Sequence, residues 1–366
     1  MADFGVYVHV PFCAHRCDYC AFATYSDRDH LMVEYVEAVL KEIARAVADG
    51  LPPADTVFFG GGTPSRLPAE DLLRILNAIP KADGVEVTVE CNPEDATIER
   101  LSAYRAGGVT RMSFGVQSTQ AAVLADLGRR HGTMAHEQVS RVVHEAGFET
   151  WNMDLIVGSR AETLDDVRAT VGDILNLPYP PPHISCYVLT PELATPLGQD
   201  PKRHPDEDDS ADAYDVVGEM LAGAGFEWEE ISNWAQPGHE CRHNHVYWDR
   251  GNYVGFGSAA HSHVDGLRWW NVRTPDRYIA LLQEGSLPRG GEEEVAPAAQ
   301  EFEAQSLALR TRKGVPIEAF ASLDEIAHLI RIEGSNIVLS ERGRLVANQV
   351  ILRLRSSEMP EASGSL

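Results

Sequence analysis

The segment "PFCAHRCDYCAF" holds three cysteines, Cys13, Cys17 and Cys20, in one short loop-like stretch. Thiolates at i, i+4 and i+7 can ligate three irons of a cubane iron–sulfur cluster, whereas an all-protein site supplies four cysteines. One iron would then stay open to a substrate that the cluster binds and reduces. Zinc is the rival occupant; it prefers CxxC pairs and a fourth protein ligand, which His15 could supply. The six cysteines of the chain are too dilute for the disulfide framework of a small secreted protein. Their crowding points to metal binding in a reducing cytoplasm, while Cys91 and Cys186, in apolar strand-like runs, read as buried fillers.

A cluster loop has to be carried by a rigid frame. From residue 5 to about 190 the sequence alternates short β-branched runs with longer segments of helical period. The runs are "VYVHVPF" (6–12), "TVFFGGG" (56–62), "VEVTVECNP" (85–93), "RMSFGVQS" (111–118), "WNMDLIVG" (151–158) and "HISCYVLT" (183–190). Between the first two, Tyr35, Val36, Val39, Leu40, Ile43 and Val47 share one helical face. Thr97 begins a helix that Gly107 can end, and Thr163 with Asp166 reads as a capping box. Strands alternating with helices imply a parallel sheet, and right-handed crossovers curl it into a partial barrel of six units. Chemistry in such folds gathers at the C-terminal ends of strands. Those ends carry the cysteine row, Gly60 to Thr63, Glu90 with Asn92, Gln117, Asp154, and Tyr187 to Thr190.

The pattern changes after about residue 195. A Pro- and Asp-rich connection leads to a helix around 210–223, then to an aromatic- and histidine-rich stretch, 226–271. The expected organisation is therefore α/β: a (β/α)6 partial barrel over 1–200, a connecting region over 201–274, and a smaller helical, winged-helix-like domain over 275–366. In the last of these, "NIVLS" reads as a strand, Ser340 as an N-cap, and "SSEMPEASGSL" as a disordered tail. A net charge of −24 without a basic stripe argues against nucleic acid as a partner. Neither a signal peptide nor a membrane span is evident, so a cytoplasmic location is expected.

The form CxxxCxYC, with Tyr19 before the last cysteine, resembles the radical S-adenosylmethionine superfamily, and "GGGTPS" (60–65) resembles that superfamily's glycine motif. Glycines let backbone groups approach a ligand without side-chain obstruction. Over nearly the whole chain the sequence is similar to the oxygen-independent coproporphyrinogen oxidases and their paralogues. This resemblance implies a [4Fe-4S] cluster on Cys13, Cys17 and Cys20, with S-adenosylmethionine held by Tyr7, Gly61, Gly62, Thr63, Glu90, Gln117, Arg129, Asp154 and Val188.

Two features separate the chain from the oxidases. They continue the cysteine row as CxxxCxxCxC and carry an N-terminal extension, whereas here Phe22 stands in the place of the fourth cysteine and Tyr7 lies close to the first residue. Both features match the HemW-type heme chaperones. The stretch "CRHNHVYW" also contains HNxxYW, as His243, Asn244, Tyr247 and Trp248, a signature of that group implicated in holding heme. Imidazole is a good axial ligand for heme iron and aromatic faces can cover the macrocycle. His243 is the expected ligand, with Tyr247 and Trp248 beside it; a tyrosinate, the Cys241 thiolate, His245, His261 and His263 are alternatives, and each of these side chains could instead serve the core. The resemblance implies heme delivery to a recipient, respiratory and membrane-associated hemoprotein, and an external one-electron donor. A coproporphyrinogen dehydrogenase, a radical enzyme with another substrate and a zinc protein are the rival readings.

Overall fold

The computed structural model describes residues 3–354; the stretch read as a disordered tail lies outside them. Six parallel strands follow one another in chain order: β1 (Gly5–Val10), β2 (Ala54–Gly61), β3 (Lys81–Cys91), β4 (Arg111–Gln117), β5 (Thr150–Val157) and β6 (His183–Val188). They match the six expected runs, each ending within about three residues of the expected limit at its C-terminal side. The strands use their period of two fully. Val6, Val8 and Val10, Val57 and Phe59, Val87 and Val89, Met112 and Phe114, and Met153 and Leu155 all belong to the main apolar core.

The crossovers carry α1 (Met32–Ala48), α2 (Ala69–Ala78), α3 (Ile98–Ala106), α4 (Ala121–Asp126), α5 (Ala135–Glu145) and α6 (Leu164–Leu175). In α1 the expected face is buried through Tyr35, Val36, Val39 and Ile43, but Val47, in the last turn, is 41% exposed. Thr97 caps α3 by accepting from the Arg100 amide, and the Thr163–Asp166 box closes the start of α6. Capping satisfies amides that a helix leaves unpaired in its first turn.

The later chain extends this same sheet instead of standing apart. It comprises α7 (Glu207–Gly223), β7 (Glu227–Glu230), β8 (Asn233–Ala235), α8 (Arg242–Trp248), β9 (Tyr253–Phe256), β10 (His261–Val264), β11 (Leu267–Asn271), α9 (Pro275–Gln283) and β12 (Arg289–Glu294). The α7 helix starts before the expected residue 210 because Asp206 accepts from the amides of Asp208 and Asp209. Strand β8 pairs antiparallel with β6, and β9 pairs parallel with β1, giving a twelve-stranded order β12-β11-β10-β9-β1-β2-β3-β4-β5-β6-β8-β7. The expected boundaries at 200 and 274 therefore fall inside one sheet, which runs on to Glu294.

A second core gathers Leu309, Val315, Phe320, Ile337, Leu339 and Val350. It belongs to α10 (Pro297–Ala308), β13 (Val315–Pro316), β14 (Ile330–Glu333), β15 (Asn336–Leu339), α11 (Glu341–Leu345) and α12 (Ala347–Ile351), with the three strands ordered β13-β15-β14. Ser340 accepts from the Gly343 amide, as its N-cap reading requires. Among the described residues no helix is long and apolar enough to cross a membrane.

Candidate functional site

The cysteine row leaves the C-terminal end of β1 and is fixed at both ends by backbone. The Cys13 amide donates to the Tyr25 carbonyl at 3.0 Å, and the Tyr25 amide to the Pro11 carbonyl at 2.7 Å. Within the loop, Arg16 donates to the Cys20 carbonyl at 3.1 and 3.3 Å. All six cysteines are free, and the three of the row are partly open. Their thiols line one cavity of about 510 Å³ at the barrel mouth. The Thr63 hydroxyl lies 3.6 Å from Cys13 Sγ, and an Arg129 guanidinium nitrogen 3.4 Å from Cys17 Sγ. Burial pushes the Cys13 thiol up to about 11. Bound metal reverses that preference by stabilising the thiolate.

The same cavity is lined by Gly61, Gly62, Thr63, Glu90, Gln117, Arg129, Asp154 and Val188. Eight of the nine residues expected around S-adenosylmethionine thus meet the three cysteines in one space. Gly61 adopts φ +107°, and a Cβ there would lie 2.4 Å from the His9 ring. Its amide donates to Glu90 Oε2 at 3.1 Å. Gly62 is equally constrained, since a Cβ would press on the Phe12 and Val10 carbonyl oxygens at 2.7 and 2.8 Å. Arg129 also donates to the Gly115 carbonyl and to Asn92, which fixes its guanidinium across the mouth. Gln117 sits at φ +68°, uncommon outside glycine, and its buried Oε1 has no partner.

Two carboxyls, Glu90 and Asp154, share this cavity with three arginines, Arg16, Arg111 and Arg129. Desolvation, followed by repulsion from Asp154, raises the Glu90 carboxyl from 4.5 to about 8. Asp154 is raised as well, chiefly by burial, although Asn152 and Ser113 donate to it at 2.7 and 3.3 Å. Two desolvated carboxyls facing one space favour a cationic ligand, whose charge would restore their ionisation. The donor set, thiols beside a glycine-walled pocket with two carboxyls and three arginines, fits both a cubane cluster and a zwitterionic sulfonium ligand. Among the described residues no three His, Cys, Asp or Glu side chains converge as a single metal ion requires.

Sequence reading missed the cavity's floor: Arg111, Ser113, Asn152, His183 and Ser185. The signal was present in the strand period. Arg111, Ser113, Gly115 and Gln117 on β4, Asn152 and Asp154 on β5, and His183, Ser185 and Tyr187 on β6 are alternate residues, and all of them line the cavity. Beneath them Glu229 lies 3.5 Å from His183 Nε2 and 3.4 Å from His245 Nε2, closing the base of the barrel.

Tyr7 differs from the other eight. It lines a second, adjoining cavity of about 410 Å³, with His9, Phe22, Tyr247, Tyr253, His261 and Arg273; Gly61, Glu90 and Phe22 border both cavities. The HNxxYW residues are divided by this geometry. Tyr247 lines the second cavity, Asn244 reaches the first, and Trp248 lines neither. His243, the expected heme ligand, is 1% exposed. Its Nδ1 bonds the Thr56 hydroxyl and its Nε2 the Tyr247 hydroxyl, both at 2.8 Å. Neither nitrogen is left for iron, so a ligand role for His243 conflicts with the packing that holds it. Glu86 anchors this helix from β3 by accepting from the Arg242 and His243 amides at 3.2 and 3.0 Å.

Comparison with known proteins places the chain in a family. The Radical SAM superfamily pattern matches residues 7–174. The chain is 37% identical over 370 residues to the heme chaperone HemW of Mycobacterium tuberculosis, covering 96% of this chain and 94% of that one. It is 34% identical over 371 residues to the HemW of Bacillus subtilis, covering 94% and 97%. The HemW of Escherichia coli is 33% identical over 292 residues, covering 78% and 75%. Among solved structures, the coproporphyrinogen III oxidase HemN of Escherichia coli, described as a radical SAM enzyme, superposes with a TM-score of 0.83. That match spans 96% of this chain and 89% of the other at 19% identity, a likeness of fold.

Proposed function

The chain belongs to the HemW family within the Radical SAM superfamily, and on that premise we propose that it binds heme beside a [4Fe-4S] cluster and S-adenosylmethionine and passes the heme to a recipient hemoprotein. Kinship to heme chaperones across nearly the whole chain carries this reading. Cys13, Cys17 and Cys20 hold the cluster, which when bound supplies one-electron reduction at an iron that no protein thiol occupies. Gly61, Gly62 and Thr63 would offer backbone to S-adenosylmethionine, Glu90 and Asp154 would meet its positive charge, and Gln117, Arg129, Val188 and Tyr7 would complete its site. The recipient is a respiratory, membrane-associated hemoprotein, and an external one-electron donor serves the cluster. Coproporphyrinogen oxidation is not part of the function.

Anaerobic reconstitution tests the cofactor assignment. Uptake of about four irons and four sulfides is expected, and Cys17→Ala should abolish the brown absorption while the far-ultraviolet dichroism of the barrel persists. Zinc without iron or sulfide would overturn the cluster. A heme titration of the reconstituted wild type should saturate near one equivalent. Turnover of coproporphyrinogen III by the same preparation would instead make the chain an oxidase.

A further inference from the structure

Resting on the heme-binding reading above, we propose that heme sits in the second cavity, edge exposed, with His261 as its axial ligand and Arg273 pairing with a propionate. His9 is engaged at both nitrogens, by the Tyr7 hydroxyl at 3.1 Å and the Ala23 carbonyl at 3.1 Å. His243 is engaged at both as described. His245 faces the buried Glu229, and His263 is 3% exposed with Nδ1 on the Gly251 carbonyl at 2.8 Å. His261 differs from all of these. It lines the cavity from an exposed position at the start of β10, and among the described residues its ring makes no hydrogen bond.

The ring is nonetheless held in place. It stacks on Trp270 of the neighbouring strand, centroids 5.7 Å apart and planes 24° from parallel, so its orientation is set without spending either nitrogen. Partial burial lowers its proton affinity, which keeps the lone pair available at neutral pH. The walls suit a flat, largely apolar ligand. Tyr7, Phe22, Tyr247 and Tyr253 present aromatic surface, and Phe22 is 64% exposed at the lip. Arg273 is exposed on the rim and has no ion-pair partner among the described residues; a guanidinium is well matched to a carboxylate. About 410 Å³ lies within the range that holds a drug-sized ligand, and an open cavity leaves one macrocycle edge free for transfer.

The HNxxYW element then acts one layer behind the ligand. The pair Thr56 and His243 fixes the Tyr247 hydroxyl, and Tyr247 meets Tyr253 edge-to-face at 4.6 Å, which builds the cavity wall. His243 is a positioning residue in this scheme and His261 the ligand. No bond within the protein has to break for iron to be coordinated.

The test titrates the full-length, cluster-reconstituted protein with hemin and with metal-free protoporphyrin IX. Relative to wild type, His261→Ala should weaken hemin at least about ten-fold, equivalent to about 1.4 kcal/mol, and shift the Soret band. Metal-free protoporphyrin, which has no iron to ligate, should bind both proteins alike and shows that the variant is folded. Free imidazole added to His261→Gly should restore the wild-type Soret position. Arg273→Ala should weaken hemin and protoporphyrin alike. If wild type and His261→Ala give the same saturable hemin spectrum, the ligand assignment is overturned while heme binding stands. If wild type shows no saturable hemin binding, the functional reading itself fails.

Discussion

Glu90 shows how a single side chain couples ligand to fold. Its carboxyl borders both cavities, accepts from the Gly61 amide, and is raised from 4.5 to about 8 by desolvation and then by Asp154. A raised acid binds its proton more tightly in the folded state. Its stabilising contribution is therefore fully present below 4.5 and is lost as pH rises through about 8. The ligand-free protein should lose thermal stability between about pH 5 and about pH 8, and Glu90→Gln should flatten that slope. S-adenosylmethionine, being cationic at sulfur, should do the reverse and bind more tightly to the wild type as pH rises over this range. Calorimetry of both proteins across pH checks the point; equal slopes would show that Glu90 does not carry the effect. At this scale the sequence was readable where a residue type is rare and clustered, as in the cysteine row, and less so where polar residues alternate inside apolar strands. Arg111 and His183 are not evident from residue type alone, and only the period of two counted back from Gln117 and Tyr187 assigns them to the cavity face.

Elements were legible in proportion to their local signals. The six parallel strands are β-branched and bounded by turns, and the Thr97, Thr163 and Ser340 caps are short-range chemistry, so each could be read from a few neighbours. Helix α8 is different. It has only seven residues, and its N-terminal amides are satisfied by Glu86, a carboxylate supplied from a distant strand. No local pattern could reveal this: "HNHVYW" reads as a ligand-bearing segment, and in the fold both ring nitrogens of His243 are hydrogen-bonded, to Thr56 and Tyr247. Replacing the helix's anchor has a definite consequence. Glu86→Ala leaves two amides of α8 without an acceptor, at a cost of about 1–3 kcal/mol. Hydrogen exchange of the amides from Arg242 to Trp248 should accelerate markedly while those of β4 and β5 stay protected. Unchanged protection in α8 would mean that packing alone holds the helix.

The whole molecule is organised by a sheet that the sequence divides but the fold does not. Helical and strand periods identify units, yet they carry no information on which late strand joins which early edge; here β9 joins β1 and β8 joins β6 across long stretches of chain. The β9 side is fastened by one half-buried carboxyl. Glu42 of α1 accepts from the Gly257 amide at 3.0 Å, the Tyr278 hydroxyl at 2.6 Å and Asn271 Nδ2 at 2.7 Å. Three donors from the strand extension thus converge on a group from the first crossover helix, and burial has raised that carboxyl to about 7. Because β10 carries His261, the latch also sets the position of the second cavity relative to the first. Glu42→Ala should leave three buried donors unsatisfied and lower stability by about 2–4 kcal/mol. The three cysteines and the carboxyls of β3 and β5 line the first cavity, to which no residue from β9 to β12 contributes, so iron and sulfide uptake should be retained while hemin affinity falls. Parallel loss of cluster and hemin would show that the two cavities depend on one cooperative unit. Retention of both, with stability unchanged, would show that the latch holds nothing that the surrounding apolar core does not already hold.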